Sequence, residues 1–224
     1  MSSAEIPSVP NPYVVSPACD ISLDSYPLLR LGVMASGSGS NFEAIARAIE
    51  QGQLNAKIEV LIYNNPGAIA AERAHRLGIP IQLLDHRVHS SREALDQAII
   101  QTLRTYQVEW VIMAGWMRRV TQALIDAFPR KILNIHPSLL PSFPGIRAVE
   151  QALSAGVKIT GCSVHYVELV VDSGPIVMQA AVPVLANDTV ETLQARIQLQ
   201  EHLIFPQAIA LAAQQSQQAG VSAS

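Results

Sequence analysis

An amide and an imidazole two residues apart open the run Asn134-Ile135-His136-Pro137-Ser138-Leu139-Leu140-Pro141. Ile132 and Leu133 before them have the character of a buried strand. Side chains alternate faces along a strand, so Asn134 and His136 project together while Ile135 stays with the core. Pro137 and Pro141 cannot donate to a ladder and turn the chain into a loop. Small ligands bind at the carboxyl ends of strands in α/β proteins, which makes this polar pair a candidate reaction site. A strand-end turn with solvated polar side chains would use the same residue types. Downstream, Val171-Asp172-Ser173-Gly174-Pro175 is a turn between two apolar runs and can bring a carboxylate to the same mouth. Histidine titrates near neutrality, and a neighbouring carboxylate favours its charged form. An amide donor, an imidazole and a carboxylate together suit attack on a carbonyl carbon, with charge growing on oxygen and a proton leaving the nucleophile. No Ser or Cys nucleophile is evident beside them, which favours direct transfer.

Three other groups of residues have types and spacing that bear on binding. Ser36-Gly37-Ser38-Gly39-Ser40-Asn41 lies between a strand and a helix start, where backbone N–H groups and the helix dipole favour an anion. Phe42 stands where a dinucleotide fingerprint needs its third glycine, and the lysine of a P-loop is missing, so a tight turn with a helix cap remains the alternative. Met117-Arg118-Arg119-Val120 follows the all-apolar run Val111-Ile112-Met113-Ala114 and reaches the same sheet edge as Asn134. There it is able to wall a flat heterocycle, or simply to pack and solvate a turn. Gln198 and Glu201, spaced i,i+3, share one face of the last helix, an arrangement most often met on a solvated face. His86 and His89 lack an acidic or cysteine partner at metal spacing, His75 reads as a helix-surface residue, His165 lies in a strand pattern and His202 adjoins Glu201; no metal is assigned.

These groups need a scaffold, and the apolar pattern supplies one. Leu31 to Ala35 reads as a first buried strand, followed by a helix from about Asn41 to Gln51 and a second strand near Ile58 to Tyr63. A helix from about Ala68 to Leu77 stops at Gly78, with Pro80 beyond, and a short strand follows around Ile81 to Leu84. Ser91 opens an amphipathic helix through Ala94, Leu95, Ala98, Ile99 and Leu103, and Val111 to Ala114 is a strand buried on both faces. Strand and helix alternate, which predicts an α/β domain: a doubly wound, mostly parallel, Rossmann-like sheet. After His136 the pattern becomes a helix near Ala148 to Ala155, then Thr160 to Val167 and Ile176 to Val184 as antiparallel strands, and a long closing helix to about Ala212.

The chain has 224 residues, 49% apolar and 15% charged, enough for one substantial domain and unlike a disordered chain. A net charge of −3 leaves no electrostatic footprint for nucleic acid or an anionic membrane, and no apolar run approaches a bilayer span. Two cysteines, Cys19 and Cys162, are too few for a disulfide framework and point to a reducing cytoplasm. Residues 1–29 hold five prolines and no basic residue, so a flexible tail is expected there rather than a targeting segment, the alternative being that apolar Tyr13, Val14 and Val15 pack on the domain or on a second subunit; a domain is expected over 30–213 and a second loose tail over 214–224.

The run Asn134 to Pro141, with Asp172-x-Gly174-Pro175, the Ala35 to Asn41 loop, Ala114-Gly115-Trp116-Met117-Arg118 and Gln198-x-Gln200-Glu201-His202, resembles the folate-dependent formyltransferase family from about Arg30 to about Ala212. The resemblance implies transfer of the formyl group of 10-formyltetrahydrofolate to the amine of 5-phosphoribosylglycinamide, with the folate a co-substrate, no tightly bound cofactor, and small molecules as the partners. It implies that Asn134, His136 and Asp172 are catalytic. Gly39, Ser40, Asn41, Gln198 and Glu201 would then hold the phosphoribosylglycinamide. Arg92, Met117, Arg118, Arg119, Val120 and Asn134 would hold the folate. Arg119 stands where the family often has an aliphatic residue, and Ser173 where it often has glycine. Within the family a formyltetrahydrofolate hydrolase would carry a regulatory domain before this one, which 29 residues are too few to form. A methionyl-tRNA formyltransferase would carry a further C-terminal domain. A non-catalytic nucleotide-binding module is the reading from another class.

Overall fold

A computed structural model describes residues 13–18 and 21–222. The strands are β1 (Val14–Ser16), β2 (Leu29–Ala35), β3 (Ala56–Tyr63), β4 (Ile81–Leu83), β5 (Trp110–Met113), β6 (Ile132–His136), β7 (Ile159–Tyr166) and β8 (Ile176–Pro183). The α-helices are α1 (Ser40–Glu50), α2 (Ile69–Arg76), α3 (Arg92–Thr105), α4 (Gln122–Ala127), α5 (Ala148–Ala155) and α6 (Val190–Ser222). All eight strands form one sheet in the order β1-β8-β7-β6-β5-β2-β3-β4. Pairings from β4 through β3, β2 and β5 to β6 are parallel. Those of β6 with β7, β7 with β8 and β8 with β1 are antiparallel. This is the doubly wound, mostly parallel sheet expected from the alternation of strand and helix.

Period-two alternation divides the strands between two cores. Leu31, Val33, Trp110, Ile112, Leu133 and Ile135 belong to a cluster completed by α1, α2 and α6. Met34, Val111, Met113 and Ile132 belong to a second cluster, on the α3 and α4 face. Gly32 has no side chain because α3 leaves no room: a Cβ there would lie 2.4 Å from Leu103 Cδ2. Leu133 and Ile135 pack into the first core, so Asn134 and His136 are turned to the other face, as their spacing requires.

The ends depart from expectation. Residues 1–12, 19, 20, 223 and 224 of the expected tails lie outside the described residues. Between them the chain is built into the fold. Val14, Val15 and Ser16 add to the open edge of β8 opposite Ala181, Ala180 and Gln179. Tyr26 is buried, and its hydroxyl accepts the Asn55 N–H. This is the alternative left open by the apolar character of Tyr13, Val14 and Val15: the segment covers a sheet edge. At the other end α6 continues to Ser222 rather than stopping near Ala212, since Ala213 to Gln218 are good helix formers and no glycine intervenes before Gly220. Short α4 was not anticipated, because six residues carry too little periodicity to read.

Candidate active site

The sheet changes sense at β6, which runs parallel to β5 and antiparallel to β7. Its carboxyl end therefore meets strand residues from the opposite direction: Asn134 pairs with His165 and His136 with Ser163. Asp172 joins them from the β7–β8 turn, in the left-handed backbone region at φ 54. Its Oδ2 lies 3.3 Å from His136 Nδ1 and its Oδ1 3.5 Å from His165 Nε2. Oδ2 also accepts the Gly145 N–H at 2.8 Å. Burial works to raise the Asp172 carboxyl, but the His165 and Gly145 hydrogen bonds and the two imidazoles outweigh it and hold the group below its ordinary range.

His136 is bracketed by acceptors, with its Nε2 2.8 Å from the Phe143 carbonyl and its Nδ1 facing Asp172. Only the doubly protonated ring donates to both. The Asn134 amide nitrogen is 3.1 Å from His165 Nε2, the ring nitrogen that also faces Asp172, while His165 Nδ1 lies 2.8 Å from the Tyr166 carbonyl. Ser163, buried behind His136, receives the Leu140 N–H and the Gln179 amide and donates to the Ser138 carbonyl, so the loop after His136 is tied to β7 and β8.

A cavity of about 580 Å³ opens over this cluster. One wall is the β2–α1 loop with α6. Gly39 begins α1 at φ 71, and a Cβ there would lie 2.6 Å from Ala70 Cβ, so glycine is demanded by α2 packing as well as by the turn. No side chain caps the α1 N-terminus, whose N–H groups and dipole favour an anion. Gln198 Nε2 donates to Ser40 Oγ at 2.8 Å, and Asn41 Nδ2 donates to Glu201 Oε2 at 2.8 Å. The face of α6 expected to be solvated is closed off here: Glu201 is 4% exposed, and burial raises its carboxyl against the Asn41 hydrogen bond. A second wall is formed by Met117, Arg118, Arg119 and Val120, with Ile146, Leu169 and Val171. Ser36 Oγ fixes this wall by accepting the Met117 N–H at 2.8 Å.

The structure thus brings Asn134, His136 and Asp172, Gly39, Ser40, Asn41, Gln198 and Glu201, and residues 117–120 to one cavity. Arg92 is the exception. It is exposed at the first position of α3 and does not line the cavity. His165 was passed over: its signal was a polar residue alternating with Ser163 inside an otherwise apolar strand, but its pairing with Asn134 depends on a register that one sequence does not reveal. Ser36 and Asn65 also line the cavity, tied together by an Asn65 Nδ2 to Ser36 carbonyl bond of 2.7 Å. Among the described residues no group of His, Cys, Asp and Glu has the geometry to hold a metal ion.

The formyl transferase family model matches residues 29–209. Phosphoribosylglycinamide formyltransferase of Bacillus subtilis is 43% identical over 180 residues, covering 80% of this chain and 92% of its own. The human trifunctional purine biosynthetic protein adenosine-3 is 42% identical over 191 residues; the match covers 85% of this chain but 19% of that much longer protein. The crystal structure of glycinamide ribonucleotide transformylase 1 from Symbiobacterium toebii superposes with a TM-score of 0.82 at 48% identity, covering 83% of this chain and 88% of that one.

Proposed function

The chain belongs to the formyl transferase family, and from that premise we propose that it moves the formyl group of 10-formyltetrahydrofolate to the primary amine of 5-phosphoribosylglycinamide, a step of purine synthesis. The observation that carries this reading is Asp172 gripping His136 and His165 at the floor of a cavity whose one wall is an open helix start with Glu201 and whose other is largely apolar. The acceptor phosphate lies at Gly39-Ser40-Asn41, with its ribose toward Gln198 and Glu201. The folate ring lies along Met117 to Val120, with its formyl group over Asn134. The same reading places the reaction in a reducing cytoplasm, in keeping with Cys162 as a buried free thiol.

The amine nitrogen attacks the formyl carbon and the C=O electrons move to oxygen. Asn134 and charged His136 donate to that oxygen, His136 exchanging its Phe143 acceptor for it. Preorganised donors of this kind typically supply about 2.7–4 kcal/mol each when judged by removal. Asp172, 3.3 Å from Nδ1, orients His136. The tetrahedral centre collapses as the bond from carbon to folate N10 breaks, the nitrogen lost by carbon taking up a proton and the incoming amine giving one up, so that tetrahydrofolate and the formamide are the products. His136, directly or through water, carries that proton.

Mixing the protein with 10-formyltetrahydrofolate, with and without phosphoribosylglycinamide, tests the reading. Deformylated folate should form only when the acceptor is present, without formate. Formate release without acceptor would mark a hydrolase, and binding of both compounds without turnover would mark a non-catalytic module.

A further inference from the structure

Residues 114–121 join β5 to α4 without ladder or helix of their own, yet they carry four residues along the apolar side of the cavity. Two side chains from elsewhere in the chain hold the segment. Near β5 the tie is Ser36 to the Met117 N–H, at 2.8 Å. At the far end Asp96 Oδ2 accepts the Thr121 N–H at 2.6 Å. Asp96 sits on α3 at 2% exposure, beside Leu95 and Ile99, and does not line the cavity. Burying a carboxyl among apolar side chains is costly unless it satisfies a donor. The donor here is at the start of α4, where N–H groups have no intrahelical acceptor and the Thr121 side chain makes no cap bond. Burial raises the Asp96 carboxyl and the Thr121 hydrogen bond opposes it, with Glu93 and Arg92 as the nearby charges. Trp116 and Val120, buried in the same core as Leu95 and Ile99, leave the segment few other ways to settle.

We propose that Asp96 is a positioning residue for the folate side of the cavity: by pinning Thr121 it sets where Met117 to Val120 stand relative to Asn134, without touching substrate. The proposal rests on the reading that this wall receives the folate.

Steady-state kinetics of Asp96→Ala, Asp96→Leu and Asp96→Asn, with each substrate varied in turn, test it, with Leu103→Ala as a control from the buried face of the same helix. Asp96→Ala and Asp96→Leu should raise the KM for 10-formyltetrahydrofolate by about 5- to 20-fold and leave the KM for phosphoribosylglycinamide within about twofold. Asp96→Asn keeps an acceptor oxygen and should shift less. Leu103→Ala should lower the melting temperature without splitting the two KM values. Should Asp96→Ala not fold, Asp96→Leu refills the space without an acceptor and carries the same test. An unchanged folate KM in a folded Ala or Leu variant, or equal rises in both KM values, overturns the proposal. Failure of the functional reading shows separately, as a wild-type protein that does not consume the folate.

Discussion

On the side of the cavity assigned to the nucleotide, the polar side chains are bonded to one another: Asn41 to Glu201 and Ser40 to Gln198, all from α1 and α6. Across the cavity, irregular segments present Met117 and Ile146, each 70% exposed, and Arg118, whose buried Nε has no partner among the described residues. The first side is built on two helices packed over the larger core, whereas the second includes an irregular segment held by Ser36 at Met117 and by Asp96 at Thr121. Helix-borne groups that are already paired recognise by geometry, so a lost atom should be felt as a specific loss. Loop-borne apolar groups recognise by area and should yield gradually. Asn134 and His136, proposed for the chemistry common to both, sit on the strand where the sheet changes sense.

Removing the common part should have the largest effect. His136→Ala and Asp172→Asn should fold, bind both substrates and lose about 100-fold or more in kcat, and the double variant should lose far less than the product of the two. A multiplicative double variant in a kinetic cycle would show that the two residues do not act as one unit. Next, Asn41→Ala should raise the KM for the acceptor by about 10-fold and leave the folate KM alone, because it leaves the buried Glu201 carboxyl without its donor. Valine at Gly39 is a poorer probe of the same wall, since its Cβ collides with Ala70 and any loss of binding would mix with loss of fold. On the folate side, Met117→Ala should raise the folate KM by only about two- to fivefold, as expected for partial loss of apolar area. Isothermal titration of both variants with both substrates checks whether the walls separate as described.

Glu201 sharpens the comparison through pH. Its carboxyl is pushed above the ordinary glutamate value by burial, so the folded chain holds that proton more tightly than the unfolded one. Stability therefore falls as pH rises from the ordinary glutamate value, about 4.3, through the folded one. Glu201→Gln removes this cost, and above that window its melting temperature should equal or exceed that of the wild type while its acceptor KM rises. A steeper fall of melting temperature with pH in the variant would contradict the buried, proton-retaining carboxyl. The smallest effect on activity belongs to the N-terminal segment. A chain starting at Leu28 should keep kcat within about twofold but melt about 5 °C or more lower, having lost β1 and the buried Tyr26. Calorimetric melting beside steady-state rates separates the two.

The same contrast governs what could be read in advance. Asn134, His136 and Asp172 were legible because strand alternation and a turn leave little freedom in where such side chains point. The parallel strands and their helices were legible from apolar periodicity. The Asn41 to Glu201 bond joins residues 160 apart, and only the resemblance, not the spacing, brought them to one ligand. His165 needed the β6–β7 register, Asp96 needed the packing of α3 against α4, and β1 needed an open β8 edge. Each depends on a tertiary contact that local pattern does not encode. Arg92, matched by the resemblance to the folate tail, is exposed at the start of α3 and is not among the residues that line the cavity.

Direct transfer across the end of β6 is the central claim, and a single turnover with label in the formyl carbon of 10-formyltetrahydrofolate tests it most directly. With enzyme in excess, phosphoribosylglycinamide should take up the label as the folate loses it, at one rate, with none on the protein and none as formate. Label trapped on the protein, or released as formate while the acceptor stays unformylated, would contradict the account.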